Sequence, residues 1–166
     1  MTQSAPDTVP GLNVLGNSDG ILVAEWENIC IAIWRKDSTM TRFNVQKAGL
    51  VEVCRNHPGK TGFLCVVEPT SGVPGDDVRK ASGVLFQSLA ADLRGIAMII
   101  EGTGFRSAIV RSVASGIVLL MGKRETPISY FAHVDEGSSW LRQHAPISSI
   151  PKFTAAVRAA RGHLSP

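Results

Sequence analysis

The fold is decided by residues 21–35, which read ILVAEWENICIAIWR. Two runs of β-favouring residues, 21–26 and 29–35, are separated only by Glu27 and Asn28. This spacing predicts a two-residue hairpin in which Asn28 has a positive φ. Both alternating faces of the second run are apolar, which is typical of a strand covered on two sides. The sheet is therefore predicted to open with an antiparallel hairpin whose second strand is central.

Downstream of the hairpin, apolar runs alternate with amphipathic segments of helical length. The further strands are predicted at residues 61–67, 96–100 and 128–134, and the helices at about 39–56, 76–95, 105–120 and from 135 onward. Thr39 or Thr41 suits the N-cap of the first helix, and Asp76 or Asp77 that of the second. This order predicts an α/β fold with a mainly parallel sheet of about five strands and about four helices.

The two ends of the chain differ from its body. Residues 1–20 show no periodicity and contain no Lys or Arg, which predicts a flexible leader before an α/β domain at 21–144. Residues 145–166 are predicted to form a C-terminal amphipathic helix with Pro151 in its first turn. Its apolar positions recur at spacings of three and four: Ile150, Phe153, Val157, Ala160 and Leu164. We expect this helix to dock on its own domain or on a second subunit, with a membrane surface as the weaker alternative.

Composition argues against several classes of function. With 166 residues, 44% of them hydrophobic, the chain can bury a sizeable core as one domain. The net charge is only +3, no basic run is present, and the chain contains one Tyr. These features argue against nucleic-acid binding. Three cysteines without paired spacing predict reduced core residues in a cytoplasmic protein, with neither a disulfide framework nor a metal site. No export signal, membrane span or cofactor motif is predicted.

Two stretches resemble a known family. Residues 61–73, TGFLCVVEPTSGV, resemble the central strand and turn of the STAS-like domain, the fold of bacterial anti-sigma-factor antagonists. Residues 129–141, SYFAHVDEGSSWL, resemble the last strand and helix of its STAS-like branch. In that family a Ser near the start of the helix after the central strand can be phosphorylated as a switch. The resemblance therefore nominates Ser71 and Ser82 as phosphorylation candidates, although neither lies in the family's Asp-Ser-Ser-Gly pattern; ordinary turn and helix-face roles are the alternatives.

Polar residues follow the predicted parallel strands at their carboxyl ends, where open α/β sheets collect ligands and catalytic groups. This predicted rim for a partner or ligand comprises Asp37, Glu68, Thr70, Glu101, Gly102, Thr103, Gly104 and His133. The glycines at 102 and 104 are suited to bringing backbone N–H groups toward an anion. The alternative is an ordinary tight turn with solvated carboxylates, because no complete phosphate-binding motif is present.

Three functions follow as hypotheses. The first is a non-enzymatic regulatory module in bacterial signalling that binds a protein partner, such as a kinase-like component, and is switched by Ser phosphorylation. The second is a sensor or carrier for a small ligand, an anion or a lipid, which a deep apolar cavity would favour. The third is an enzyme using Glu68, Glu101 or His133 as acid or base, although no nucleophile motif nominates a catalytic residue. A homodimer is also expected to be feasible through the hairpin edge or the tail.

Overall fold

A six-stranded mixed sheet forms the centre of the computed structural model, which describes residues 9–104, 108, 110, 112, 116 and 126–164. The strands are β1 (Leu12–Ser18), β2 (Ile21–Trp26), β3 (Ile29–Trp34), β4 (Thr61–Val67), β5 (Leu93–Ile100) and β6 (Ile128–Phe131). They lie side by side in chain order. The pairs β1–β2 and β2–β3 are antiparallel, whereas β3 to β6 are parallel. The predicted α/β fold, with an antiparallel opening followed by parallel strands, is confirmed.

Among the described residues, four helices with complete bounds cover the sheet. They are α1 (Met40–Asn56), α2 (Asp76–Ser88), α3 (Val134–Leu141) and α4 (Ile150–Gly162). The helix predicted at 105–120 lies outside the described residues, apart from the four isolated positions given above. Thr39 caps α1 as predicted, because its side chain accepts a hydrogen bond from the Arg42 amide.

The sheet is buried on both faces, so the protein is a three-layer α/β/α structure. On one face, side chains such as Val23, Trp34 and Phe63 pack with residues of α1 and α2. On the other face, Ile31 and Leu64 belong to a second cluster that includes residues of α3 and α4. Every residue of β3 is buried and β3 lies between β2 and β4, which confirms its predicted central position.

The leader prediction was wrong over Leu12–Ser18, which forms β1 and raises the strand number from five to six. This edge strand pairs antiparallel with β2, from Leu12 opposite Trp26 to Ser18 opposite Ile21. Its residues are half-buried or exposed, without the apolar alternation that marks a strand from sequence. Pairing with β2 therefore determines the conformation of residues 12–18 more than their local sequence does.

Four further local predictions were wrong. At the β2–β3 turn the positive φ, 53°, belongs to Glu27 rather than Asn28; the Asn28 side chain donates instead to the Lys60 carbonyl. Helix α2 ends at Ser88 rather than near Gly95, and β5 begins earlier than predicted, at Leu93. The N-cap of α2 is Gly75, and neither Asp76 nor Asp77 takes that position.

The C-terminal amphipathic helix is present as α4 and packs on its own chain. Ser149 caps it, and a proline occupies its first turn as predicted. Phe153 is fully buried and its ring lies 5.5 Å from that of Trp26, between centroids. Helix α4 therefore covers β2 and reaches the edge of the sheet where the polar residues lie.

Candidate functional site

Three charged residues stand in a row at the carboxyl edge of the sheet. Arg35, Glu68 and Glu101 each follow directly on a parallel strand, β3, β4 and β5 respectively. The strand ends are in register, with Trp34 opposite Val67 and Val67 opposite Ile100. The sheet itself therefore brings the three side chains together.

Arg161 of α4 completes this row. Its guanidinium donates to both Glu101 carboxylate oxygens, at 2.7 and 3.1 Å, and its Nε lies 3.5 Å from Glu68 Oε1. Arg35 donates to both oxygens of Glu68, at 2.7 and 3.2 Å, and to the Leu164 carbonyl. The hydrogen bond to Glu68 raises the pKa of Arg35. We refer to Arg35, Glu68, Glu101 and Arg161 as the ion-pair row.

The loops that follow β3 and β4 at this edge are hydrogen-bonded to each other. Thr70 Oγ1 donates to the Arg35 carbonyl at 2.6 Å, and Ser71 Oγ donates to the Lys36 carbonyl at 3.1 Å. Gly72 lies so close to the Asp37 carboxylate that a Cβ at this position would overlap it. The predicted rim residues in these loops thus hold the β3–α1 and β4–α2 connections together.

An apolar pocket of about 60 Å³ lies behind these loops, between the sheet and helices α1 and α2. We call it the inner pocket. It is lined mainly by Trp34, Gln46, Cys65, Val67, Val78, Ser82, Phe86, Met98 and Ile100. One water needs roughly 10–15 Å³ of such volume, so the inner pocket has room for a few waters or a small organic molecule.

Gln46 is the most informative residue of the inner pocket, because it is only 4% exposed and polar. Its Oε1 accepts a hydrogen bond from the Trp34 indole at 2.7 Å and faces Cys65 Sγ at 4.0 Å. Since an indole N–H can only donate, this contact fixes which end of the carboxamide faces Trp34. No described residue provides a partner for the Gln46 NH₂ group.

The other polar groups of the inner pocket are neutral. Ser82 Oγ donates to the Val78 carbonyl at 2.8 Å, which leaves its lone pairs as acceptors. Burial raises the pKa of Cys65 to about 12, so its thiol is protonated at neutral pH. No charged side chain lines this pocket in the part of the chain that the structure describes.

A second pocket adjoins the first at the sheet edge. It has a volume of about 310 Å³ and shares Val67 and Ile100 with the inner pocket. We call it the rim pocket; among its lining residues are Glu68, Pro69, Ser71, Glu101, Gly102 and Thr103. An apolar recess and a polar mouth therefore meet at the ends of β4 and β5.

The structure separates the predicted rim residues into two groups. Glu68, Glu101, Gly102 and Thr103 line the rim pocket, where Gly102 has a φ of 102° that favours glycine. The remaining rim residues, Asp37, Thr70, Gly104 and His133, are exposed. His133 lies at the N-terminus of α3, with no side-chain capping bond.

Both phosphorylation candidates are buried. Ser71 is 2% and Ser82 is 6% exposed, and each hydroxyl donates to a backbone carbonyl. Ser82 lies within α2, as the sequence predicts, and lines the inner pocket rather than the surface. A kinase would therefore need local opening of the fold to reach either oxygen.

Three residues of the site, Gln46, Arg35 and Arg161, were not predicted from the sequence. A signal for Gln46 exists, because it lies on the apolar stripe of α1 between Phe43 and Leu50, at helical spacings of three and four. The two arginines carry no comparable signal. Their role follows from where the carboxylates of neighbouring strands and the last helix meet in three dimensions.

Comparison with known proteins finds no matching family model, no matching curated protein and no matching solved structure. Within the described ranges, no helix has the length and apolar character needed to cross a membrane. The same residues contain no cluster of three or more His, Cys, Asp or Glu side chains suited to a metal ion.

Proposed function

We propose that this protein is a non-enzymatic domain that binds a small, mainly apolar molecule in the inner pocket. The observation that carries this proposal is the NH₂ group of Gln46, which has no partner among the described residues and lies in a mainly apolar recess without charged walls. An unmade hydrogen bond of a buried donor costs about 1–3 kcal/mol. A bound molecule that accepts from Gln46 removes this cost while covering the apolar walls.

The position of the inner pocket also supports binding. It opens beside the carboxyl ends of parallel strands, where open α/β sheets bind their ligands. Its walls come from α1, α2 and three strands, so a bound molecule contacts several elements at once. Occupancy would stabilise these elements relative to each other, as a sensor requires.

The ion-pair row argues for a non-enzymatic role. Both carboxylate oxygens of Glu68 accept hydrogen bonds from Arg35, and both of Glu101 accept from Arg161. A general acid or base needs a carboxylate oxygen within hydrogen-bond reach of the proton that it transfers, whereas these oxygens are already engaged with arginines. The row instead fastens α4 to the sheet edge.

A regulatory role in bacterial signalling and a protein partner, both suggested by the STAS-like resemblance, remain proposals. The burial of Ser71 and Ser82 favours the ligand-binding form of that role over a phosphorylation switch. In the ligand-binding form, the molecule in the inner pocket takes the part that a phosphate plays in the family.

The proposal is tested with a matched pair of variants on α2. Val78 is 4% exposed and lines the inner pocket, whereas Val84 is 68% exposed on the same helix. We expect small apolar fragments, screened by saturation-transfer NMR, to bind the wild type and Val84→Phe but not Val78→Phe. Ser82→Leu fills the same pocket from the next turn of α2 and is expected to block binding too.

The proposal is contradicted if no fragment binds the wild type, or if folded Val78→Phe and Ser82→Leu retain the wild-type affinity. Folding of each variant is checked by circular dichroism and thermal unfolding. The two pocket variants keep the test informative should one of them fail to fold.

A further inference from the structure

We infer that the inner pocket selects a neutral molecule with a carbonyl oxygen, a small ketone, aldehyde or ester, through the NH₂ group of Gln46. This inference rests on the proposed ligand-binding function and specifies the chemical class of the ligand. It depends on three properties of the pocket: a committed acceptor, a free donor and the absence of charge in its described walls.

The acceptor end of Gln46 is already used. Trp34 Nε1 donates to Oε1 at 2.7 Å, and Cys65 Sγ lies 4.0 Å from the same oxygen. Because both neighbours face the oxygen, turning the amide over would place its NH₂ group against the indole N–H. Gln46 therefore offers the pocket hydrogen-bond donors.

The other polar residues that line the pocket, Ser38, Cys65 and Ser82, do not satisfy these donors. Ser82 Oγ donates to the Val78 carbonyl, and no described residue accepts from the Gln46 NH₂ group. A carbonyl oxygen is a suitable acceptor, since its lone pairs accept an amide N–H at about 2.9 Å. The rest of such a molecule would contact Phe86, Met98 and Ile100.

The lack of charge restricts the ligand further. A carboxylate or ammonium would lose its hydration in the inner pocket without gaining an opposite charge from the described lining residues. Arg35 and Arg161 of the ion-pair row are engaged with Glu68 and Glu101. An anion, one of the small ligands that the sequence suggested, is therefore a poorer match to this pocket than a neutral carbonyl compound.

The size of the inner pocket limits the ligand to a few heavy atoms unless it extends into the rim pocket. The two pockets share Val67 and Ile100, so a longer chain would leave the inner pocket past the ends of β4 and β5. A carbonyl group would then be held at Gln46, and a more polar end would lie near Ser71 and Thr103.

The experiment compares two probes of nearly equal shape, cyclopentanone and methylenecyclopentane, which differ by C=O against C=CH₂. Burial alone favours the alkene, because it is the more apolar of the two. We expect wild-type protein to bind cyclopentanone about tenfold more tightly, the effect of one good hydrogen bond. Titrations by NMR also report the Gln46 side-chain NH₂ resonances, which are expected to shift with cyclopentanone only.

Gln46→Met removes the donor while keeping a side chain of similar length. We expect the preference for cyclopentanone to fall from about tenfold to one or less in this variant. Equal affinity of both probes for the wild type would overturn the inference while leaving the ligand-binding proposal in place. Failure of both probes to bind the wild type would overturn the inference together with the proposed occupation of the pocket by small molecules. The wild-type comparison stands even if Gln46→Met is unstable.

Discussion

At the scale of single residues, buried polar side chains distinguish this core from a purely apolar one. Gln46 and Ser82 lie on the buried faces of α1 and α2, and both line the inner pocket. A core position that is polar on each of two facing helices is costly unless its groups are paired. Their common location is therefore best explained by a ligand bound in the inner pocket that both residues line.

Ser82→Asp is expected to destabilise the protein by about 3 kcal/mol or more, because it places a carboxylate at a 6%-exposed site without a cation among the described pocket-lining residues. Urea unfolding measures the loss. Ser88→Asp, at the exposed end of the same helix, is the matched control and is expected to cost no more than about 1 kcal/mol. Wild-type stability of Ser82→Asp would show that this position tolerates charge, and would restore it as a phosphorylation site.

The three cysteines give a second residue-scale prediction. Burial raises the pKa of Cys54 to about 11, that of Cys65 to about 12 and that of Cys30 well above its usual range. At pH 8 each folded thiol is therefore protonated and shielded, whereas an unfolded thiol ionises near pH 8.5. We expect Ellman's reagent at pH 8 to react slowly with the native protein and to titrate three thiols after denaturation. Rapid reaction of any native thiol would contradict this burial.

At the scale of secondary-structure elements, α4 is held to the sheet edge by both apolar packing and charge. Phe153 and Val157 belong to the core, and Arg161 reaches the two carboxylates at the ends of β4 and β5. About a third of the Arg161 side chain is exposed, so solvent screens part of its attraction to them. Packing therefore contributes most of the stability of this helix, and the ion pairs fix its end.

Arg161→Met is expected to lower the free energy of unfolding by about 1 kcal/mol and to increase hydrogen exchange at the C-terminal end of α4. Methionine retains most of the apolar stem, so the change reports mainly on charge. Arg158→Met, an exposed arginine on the same helix, is the control and is expected to leave both quantities nearly unchanged. Equal behaviour of the two variants would mean that the ion-pair row does not hold the helix.

The strongly patterned elements were predictable from sequence. The hairpin of β2 and β3, strand β4, the Thr39 cap and helix α4 all carry local signals of apolar periodicity or capping chemistry. Strand β1 carries none, because it is an edge strand that owes its conformation to β2. At the turn, Glu27 has the positive φ, and its carboxylate accepts hydrogen bonds from the backbone and side chain of Ser148. A contact 121 residues distant lies beyond any local turn rule.

The site was predictable only in part. The register of parallel strands places Glu68 and Glu101 together, as the strand-end rule predicts. Arg161, by contrast, carries no sequence signal that would place it beside these carboxylates. The inner pocket depends on how side chains of α1, α2 and three strands fill the space between them, and sequence periodicity does not determine such a volume.

At the scale of the whole molecule, the sheet divides the protein into two separate apolar layers. Leu64 and Val66 face one layer, with α3 and α4, whereas Phe63 and Cys65 face the other, with α1 and α2. The inner pocket belongs to the second layer alone, while the ion-pair row reaches to α4. Ligand binding and the anchoring of α4 therefore occur on different sides of the same strand ends.

The measurement that tests ligand binding most directly is methyl NMR of the full chain during titration with cyclopentanone. We predict saturable shifts for methyl groups that line the inner pocket, those of Val78, Met98 and Ile100. The methyl groups of Leu64 and Val157, across the sheet, serve as internal controls and are expected to remain nearly unchanged. Shifts of equal size on both faces, or none on the pocket residues, would contradict a ligand site between α1, α2 and the sheet.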